Sequence, residues 1–362
     1  MNRAHRAGAT IGSGLAAAAL ALGASLPAQA SSGTGWRVVS SQHYAAANAY
    51  NGLLTVVAPR KKDAWALGGT DLSEATAGAP VAEQWNGTGW QAATLPSGLT
   101  SEIDAASAPG PKDIWAVSHI GGYVLHWNGT EWSVAKTWPE SPFNPEQLTG
   151  VTAISPSDVW VFGAPGENAG LGTWHLQRTT WSQVTGTGAG IAEASALSAT
   201  NIWAVSSTST SAQADTILNY DGSSWQQVTS LPSLDLTGIV ALSATNIWAS
   251  AQQAYPATGS VLVHYDGQSW QQIAVPWTLN VTGIATDGQG GLWLPAEQVS
   301  SGHWYTLHLS GTGTWSRKLL TTAPGEVGSL ARIPGSRSVW AVGATPGSTG
   351  SDATVWARGA AG

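Results

Sequence analysis

The sequence predicts an all-β protein, a seven-bladed β-propeller of four-stranded antiparallel blades. Three observations carry this expectation. A short strand centred on tryptophan recurs seven times, at Trp65, Trp115, Trp160, Trp203, Trp248, Trp293 and Trp340, with spacings of 43 to 50 residues. A second tryptophan series follows tight-turn sequences between those strands, and a period of this length with four strands per repeat describes a propeller blade. Finally, the last repeat lacks its fourth strand, while an orphan strand of the matching kind stands at the other end of the chain.

Residues 1–30 read as a secretory signal peptide. Arg3 and Arg6 precede an apolar stretch from Ile11 to Leu26, and Ala28-Gln29-Ala30 supplies small residues for cleavage. That stretch is shorter than the roughly 20 residues a membrane-spanning helix needs. The expected product is a secreted, extracellular protein with no membrane span, spanning residues 31–362. The absence of cysteine rules out disulfides and a lipidated N-terminal cysteine.

Within 31–362 the blade repeats fall at about 51–95, 100–136, 147–185, 190–229, 236–275, 280–320 and 326–358, the last completed by 36–40. Each opens with a strand rich in Ala, Gly, Thr and Ser, suited to a crowded centre. The Trp strand comes second, and Asp63, Asp113, Asp158, Asn201 and Asn246 stand before five of them as turn residues. A third strand leads into Asn86-Gly87, Asn128-Gly129, Asp221-Gly222 or Asp266-Gly267, strong short hairpin signals. The fourth strand opens with Trp90, Trp132, Trp181, Trp225, Trp270 or Trp315, and Trp36 supplies the seventh copy. Pairing of residues 36–40 with the C-terminal repeat closes the ring, whereas an open array would leave unpaired edges and need polar caps. Fourteen of the 21 tryptophans thereby belong to the two series. Their expected role is packing between blades, each burying roughly 150–250 Å², which is worth roughly 4–6 kcal/mol gross of apolar transfer.

Val/Ile-Trp strands followed by a strand, a turn and a further Trp, as over Asn201–Trp225, resemble tectonin-type repeats of secreted bacterial β-propellers. Asp221-Gly222-Ser223-Ser224-Trp225 and Asp266-Gly267-Gln268-Ser269-Trp270 are similar to an Asp-box, without the residue that motif carries between Asp and Gly. The first resemblance implies recognition, often of glycans. The second implies either a sialidase or a non-catalytic protein.

Charge narrows the partners. The chain carries 14 basic and 21 acidic residues, and removing Arg3 and Arg6 leaves 12 against 21, a net of −9. Such a surface disfavours phosphate backbones, so nucleic acid is not an expected partner. The leading expectation is a monomeric, non-catalytic binding module that contacts an extracellular glycan or protein. Its ligand would meet the connections between blades and between second and third strands, where loop lengths vary most. Trp138, Phe143, Tyr255 and Trp277 are aromatics there that lie outside the repeat positions, and Glu140 and Asp235 add acidic groups. Stacking on sugars and covering a blade interface are both open to these rings.

A propeller-type glycoside hydrolase or lyase is the alternative, and a structural cell-surface role is a third. Hydrolysis would require paired carboxylates. Glu102, Asp104, Glu193 and Glu326 lie on or just before first strands, near the expected channel. A sialidase would also need clustered arginines, whereas Arg178, Arg317, Arg332 and Arg358 fall on different strands. His126, His175, His264 and His308, with Gln84 and Asn219 at equivalent places, recur once per blade. Packed sheets stand about 10 Å apart, too far for such residues to converge on one zinc. A repeated hydrogen bond to a neighbouring blade is expected instead, with no metal and no cofactor.

Overall fold

A computed structural model describes residues 35–44, 50–70, 79–138, 148–163, 171–185, 190–207, 215–254 and 257–359. These form β-strands in seven sheets, with no helix among the described residues. After β1 (Trp36–Gln42), blade 1 comprises β2 (Gly52–Arg60), β3 (Asp63–Gly69), β4 (Pro80–Trp85) and β5 (Trp90–Ala92). Blade 2 has β6 (Ala105–Gly110), β7 (Asp113–Val117), β8 (Tyr123–Trp127) and β9 (Trp132–Thr137). Blade 3 has β10 (Leu148–Ser155), β11 (Asp158–Gly163), β12 (Thr173–Gln177) and β13 (Thr180–Val184). Blade 4 has β14 (Gly190–Ser198), β15 (Asn201–Ser207), β16 (Asp215–Tyr220) and β17 (Trp225–Leu231). Blade 5 has β18 (Leu234–Ser243), β19 (Asn246–Gln253), β20 (Ser260–Tyr265) and β21 (Trp270–Ala274). Blade 6 has a first strand in two pieces, β22 (Asn280–Val281) and β23 (Ala285–Thr286), then β24 (Leu292–Gln298), β25 (His303–Leu309) and β26 (Trp315–Thr321). Blade 7 has β27 (Glu326–Arg332), β28 (Val339–Pro346) and β29 (Ser351–Arg358), and takes β1 as its outermost strand.

The ring therefore closes as the orphan strand predicts. Trp36 lies opposite Arg358 and Gln42 opposite Ala353, with a bulge between Val38 and Ser40. Arg37 donates to the Gly359 carbonyl, and Asn51 Nδ2 donates to the Ser351 carbonyl across the closure. Ser40 Oγ and Tyr44 Oη reach further, to Glu83 of blade 1 at 2.9 and 3.0 Å.

Between blades, second-strand tryptophans meet fourth-strand tryptophans of the next blade. Trp65 packs edge-on to Trp132 at 5.2 Å, Trp160 to Trp225 at 5.6 Å, Trp293 to Trp36 at 5.7 Å and Trp340 to Trp90 at 5.2 Å. Edge-to-face pairs of this separation add to the area they bury.

The histidine series behaves differently from its expectation. Each histidine bonds within its own blade rather than to a neighbour. His126 Nε2 meets Asp113 at 2.8 Å, His175 meets Asp158 at 2.7 Å, His264 meets Asn246 at 3.0 Å and His308 meets Asp287 at 3.0 Å. The rings stack on the second-strand indoles at 3.8 to 4.2 Å. The reason is register: Trp115 and His126 face each other on paired strands, as do Trp160 and His175. A side chain thus meets its cross-strand neighbour before it reaches the next sheet. Asn219 makes the equivalent bond to Asn201 in blade 4.

The third-to-fourth-strand turns match their sequence signals. In Asn86–Gly89 the side-chain oxygen of Asn86 accepts from the backbone of Thr88 and Gly89, and Gly87 has φ of +96°. Asn128, Asp221 and Asp266 do the same in their blades. The division of the blade 6 first strand follows from Pro295 in β24. Its carbonyl accepts from Thr282, but proline has no N–H to return, so the ladder lapses between β22 and β23.

Candidate functional site: the central channel and the loop face

The seven first strands line a central channel, and each is the inner edge of its sheet. Their outward backbone groups would otherwise lack partners, and neighbouring hydroxyls meet several of them. Ser329 Oγ accepts from Val56 N–H, Ser107 Oγ from Ala153 N–H and Ser195 Oγ from Ala241 N–H. Thr152 Oγ1 donates to the Ala194 carbonyl. Blades approach so closely here that a Cβ on Gly328 would stand 2.7 Å from the carbonyl oxygens of Leu53 and Leu54.

One level of the channel is distinctive. Two residues before each position that faces the second-strand tryptophan stand Thr55, Ala105, Gly150, Glu193, Gly238, Gly283 and Ser329. Six are small and one is a carboxylic acid. Glu193 extends across the space that Gly238 leaves: its Oε2 lies 2.9 Å from where a Gly238 Cβ would be, with the Ile284 methyl and the Ser250 hydroxyl at 3.1 and 3.2 Å from the same point. Burial among these groups pushes the Glu193 carboxyl up to about 8, because no cation or hydrogen-bond donor offsets the loss of water. The group is therefore largely protonated at neutral pH.

Glu193 opens onto a cavity of about 430 Å³ within the channel. Small apolar residues such as Ala58, Ala108, Val240 and Ala331 form much of its wall, and Arg332 is its other charged residue. The Arg332 guanidinium crosses Gly288, whose lack of a side chain leaves it room. A concave site of this size with few polar groups suits a small ligand.

The other channel carboxylates are placed elsewhere. Glu102 is buried in the segment before β6, and Asp104 Oδ2 accepts the His119 N–H at 2.7 Å. Glu326 opens β27, opposite Ala344. Of the four, Glu193 alone lines the cavity.

On the loop face, Trp138 is 8% exposed, between blades 2 and 3. Trp174 and Trp181 meet it edge-on at 5.5 and 6.2 Å, and the Lys136 ammonium lies 5.3 Å from its ring. Trp277 is half-buried between blades 5 and 6, edge-on to Trp315 at 6.1 Å, with the Arg317 guanidinium 5.2 Å from its ring. Asp235 is exposed on β18, opposite Gln252. Trp138 and Trp277 thus belong to different blade interfaces. Phe143, Tyr255 and Glu140 lie outside the described residues.

Two groups escaped sequence reasoning. Glu83 is 1% exposed, and burial pushes its carboxyl up to about 7 despite the Ser40 and Tyr44 hydroxyls that favour the ionised form. Its only sequence signal is an acid inside the apolar third strand Val81–Trp85. Arg332 reads in the sequence as one more scattered arginine, and only ring closure brings it to the cavity that Glu193 lines. Among the described residues no three His, Asp or Glu side chains gather closely enough to hold a metal ion, and no helix is long and apolar enough to cross a membrane.

No family model matches the chain, and no curated protein matches it. Solved structures do. YCF48 bound to D1 peptide is 14% identical with a TM-score of 0.57, over 89% of this chain and 94% of that one. A catalytically inactive virginiamycin B lyase from Staphylococcus aureus with quinupristin is 11% identical with a TM-score of 0.60, over 89% and 99%. The SapL1 lectin in complex with alpha methyl fucoside is 14% identical with a TM-score of 0.50, over 76% and 97%. At these identities the likeness establishes the propeller fold, which binding proteins and a lyase share.

Proposed function

We propose that this chain is a secreted, non-catalytic recognition module that binds an extracellular glycan or protein through the face bearing its variable loops. The observation that carries this reading is an asymmetry between the two ends of the ring. At one end the first-to-second and third-to-fourth strand turns are short, and four of the latter share one Asx geometry. At the other end the connections range from the two residues between β17 and β18, through the ten between β3 and β4 or between β9 and β10, to the twelve between β5 and β6. A rigid scaffold with one uniform and one diversified face is the usual architecture of loop-borne recognition. The peptide-bound YCF48 and fucoside-bound lectin structures are precedents for such use of the fold.

The channel supports binding over hydrolysis as well. Glycoside hydrolysis needs two carboxyl groups about 5–10 Å apart across the scissile bond. Glu193 stands without a second carboxylate on the cavity wall, and Asp104 is engaged by a backbone N–H.

Glycan-array and extracellular-lysate binding by the protein tests the reading, with Asp235→Ala and Trp277→Ala as loop-face variants and Gln226→Ala on the outer strand of blade 4 as a control. Selective binding weakened by the loop-face variants and unaffected by the control supports it. Binding that all three variants leave unchanged would place recognition elsewhere on the ring.

A further inference from the structure

Two charged groups from distant blades converge on one short stretch of the channel wall. Glu193 of blade 4 extends its carboxyl into the space beside Gly238 that the Ile284 methyl also borders, and Arg332 of blade 7 lays its guanidinium over Gly288. Ile284 and Gly288 bracket β23, the inner strand of blade 6. At about 3.3 Å per extended residue, and with a turn at the Gly288 end, the bracketed stretch spans ~10–13 Å. Between the two charges runs a sheet edge, the kind of surface to which an added strand hydrogen-bonds through its main chain. The positions level with Glu193 are otherwise Gly, Ala, Ser or Thr, which leaves the lumen open.

We propose that the central channel binds a short peptide of three or four residues, extended along the inner edge of blade 6, with its terminal ammonium at Glu193 and its terminal carboxylate at Arg332. Charge complementarity selects this occupant. An ammonium is a partner for a carboxyl that otherwise has none, and a carboxylate matches the planar donors of a guanidinium. The intervening ~10–13 Å equals the length of three or four extended residues. The groups facing Glu193 from blades 5 and 6 are Gly238, the Ser250 hydroxyl and Ile284, none of which titrates near neutrality. An arriving ammonium therefore favours ionisation of Glu193, and binding at pH 7 releases a proton from it. The site is separate from the loop face, so either proposal can fail alone.

Titration calorimetry of the intact protein with tetra-alanine tests it, run beside N-acetyl tetra-alanine and tetra-alanine amide. Binding of the free peptide, weakened at least tenfold by either cap and by Glu193→Gln or Arg332→Gln, is the expected result. Buffers of different ionisation enthalpy should show proton release for the wild type and none for Glu193→Gln, while Asp235→Ala on the loop face leaves the affinity unchanged. Circular dichroism of each variant confirms its fold. Equal affinity for free and capped peptides, binding sensitive to the carboxylate cap alone, or no binding at millimolar peptide would each overturn the proposal.

Discussion

Glu83 and Glu193 are two carboxyl groups that folding moves into places where the charged form is unwelcome, and they give stability a definite dependence on pH. Both have folded-state values above the ordinary 4.5, about 7 for Glu83 and about 8 for Glu193. A raised carboxyl binds its proton more tightly in the folded state, so stability falls as pH rises from about 4.5 towards those values. Thermal melts at pH 5 and pH 8 should show the wild type less stable at pH 8. Glu193→Gln and Glu83→Gln should each flatten that slope, and the double variant more than either. A slope unchanged in the double variant would assign it to other groups. At this scale the sequence was partly legible. Glu193 was named only as one of four acids on or just before first strands, and the histidines stood out by recurrence. Glu83 did not, because the Ser40 and Tyr44 hydroxyls that hold it come from the segment that completes another blade.

The blade is the repeating element, and blades 2, 3 and 5 share one interior bond: an Asp or Asn at the start of the second strand meets a third-strand histidine that stacks on the second-strand indole. In blade 3, Asp158 meets His175, which is itself buried against Trp160. Removing the acceptor leaves a buried imidazole without its partner, so Asp158→Ala should cost about 1–3 kcal/mol in denaturant unfolding. The exposed turn residue Asp266 should matter less, since water can replace its bonds. A second element-scale test concerns crowding at the centre. A Cβ at Gly328 would meet two backbone carbonyls at 2.7 Å, which cannot swing aside as a flexible side chain can. Gly328→Ala should therefore destabilise by about 1–3 kcal/mol, whereas Gly238→Ala meets chiefly the movable end of Glu193 and should be milder. Strand order and turn positions were readable from tryptophan spacing and Asn-Gly or Asp-Gly pairs, because these are local signals. The broken first strand of blade 6 was not, since it depends on which edge of β24 Pro295 turns toward its neighbour.

For the molecule as a whole, the ring is only as strong as its single non-sequential seam, where the first strand of the chain completes the last blade. That seam was legible because a repeat without its fourth strand and a fourth strand without its repeat stand at opposite ends. That Glu193 and Arg332 line one cavity was not legible, because it depends on the closed ring rather than on any spacing along the chain. The seam joins β1 to β29 along most of its length, ties Asn51 to Ser351, and links Ser40 to Glu83 of blade 1. Without β1, the edge of β29 and the face of Trp293 that Trp36 meets lose their cover. A chain beginning at residue 45 should therefore lose cooperative unfolding or self-associate through the exposed edge. A synthetic peptide of residues 35–44 added in trans should restore part of that stability in proportion to its concentration, since it binds only the folded ring. A shortened chain that melts as sharply and as high as the full one would show that the blade interfaces hold the ring without the seam.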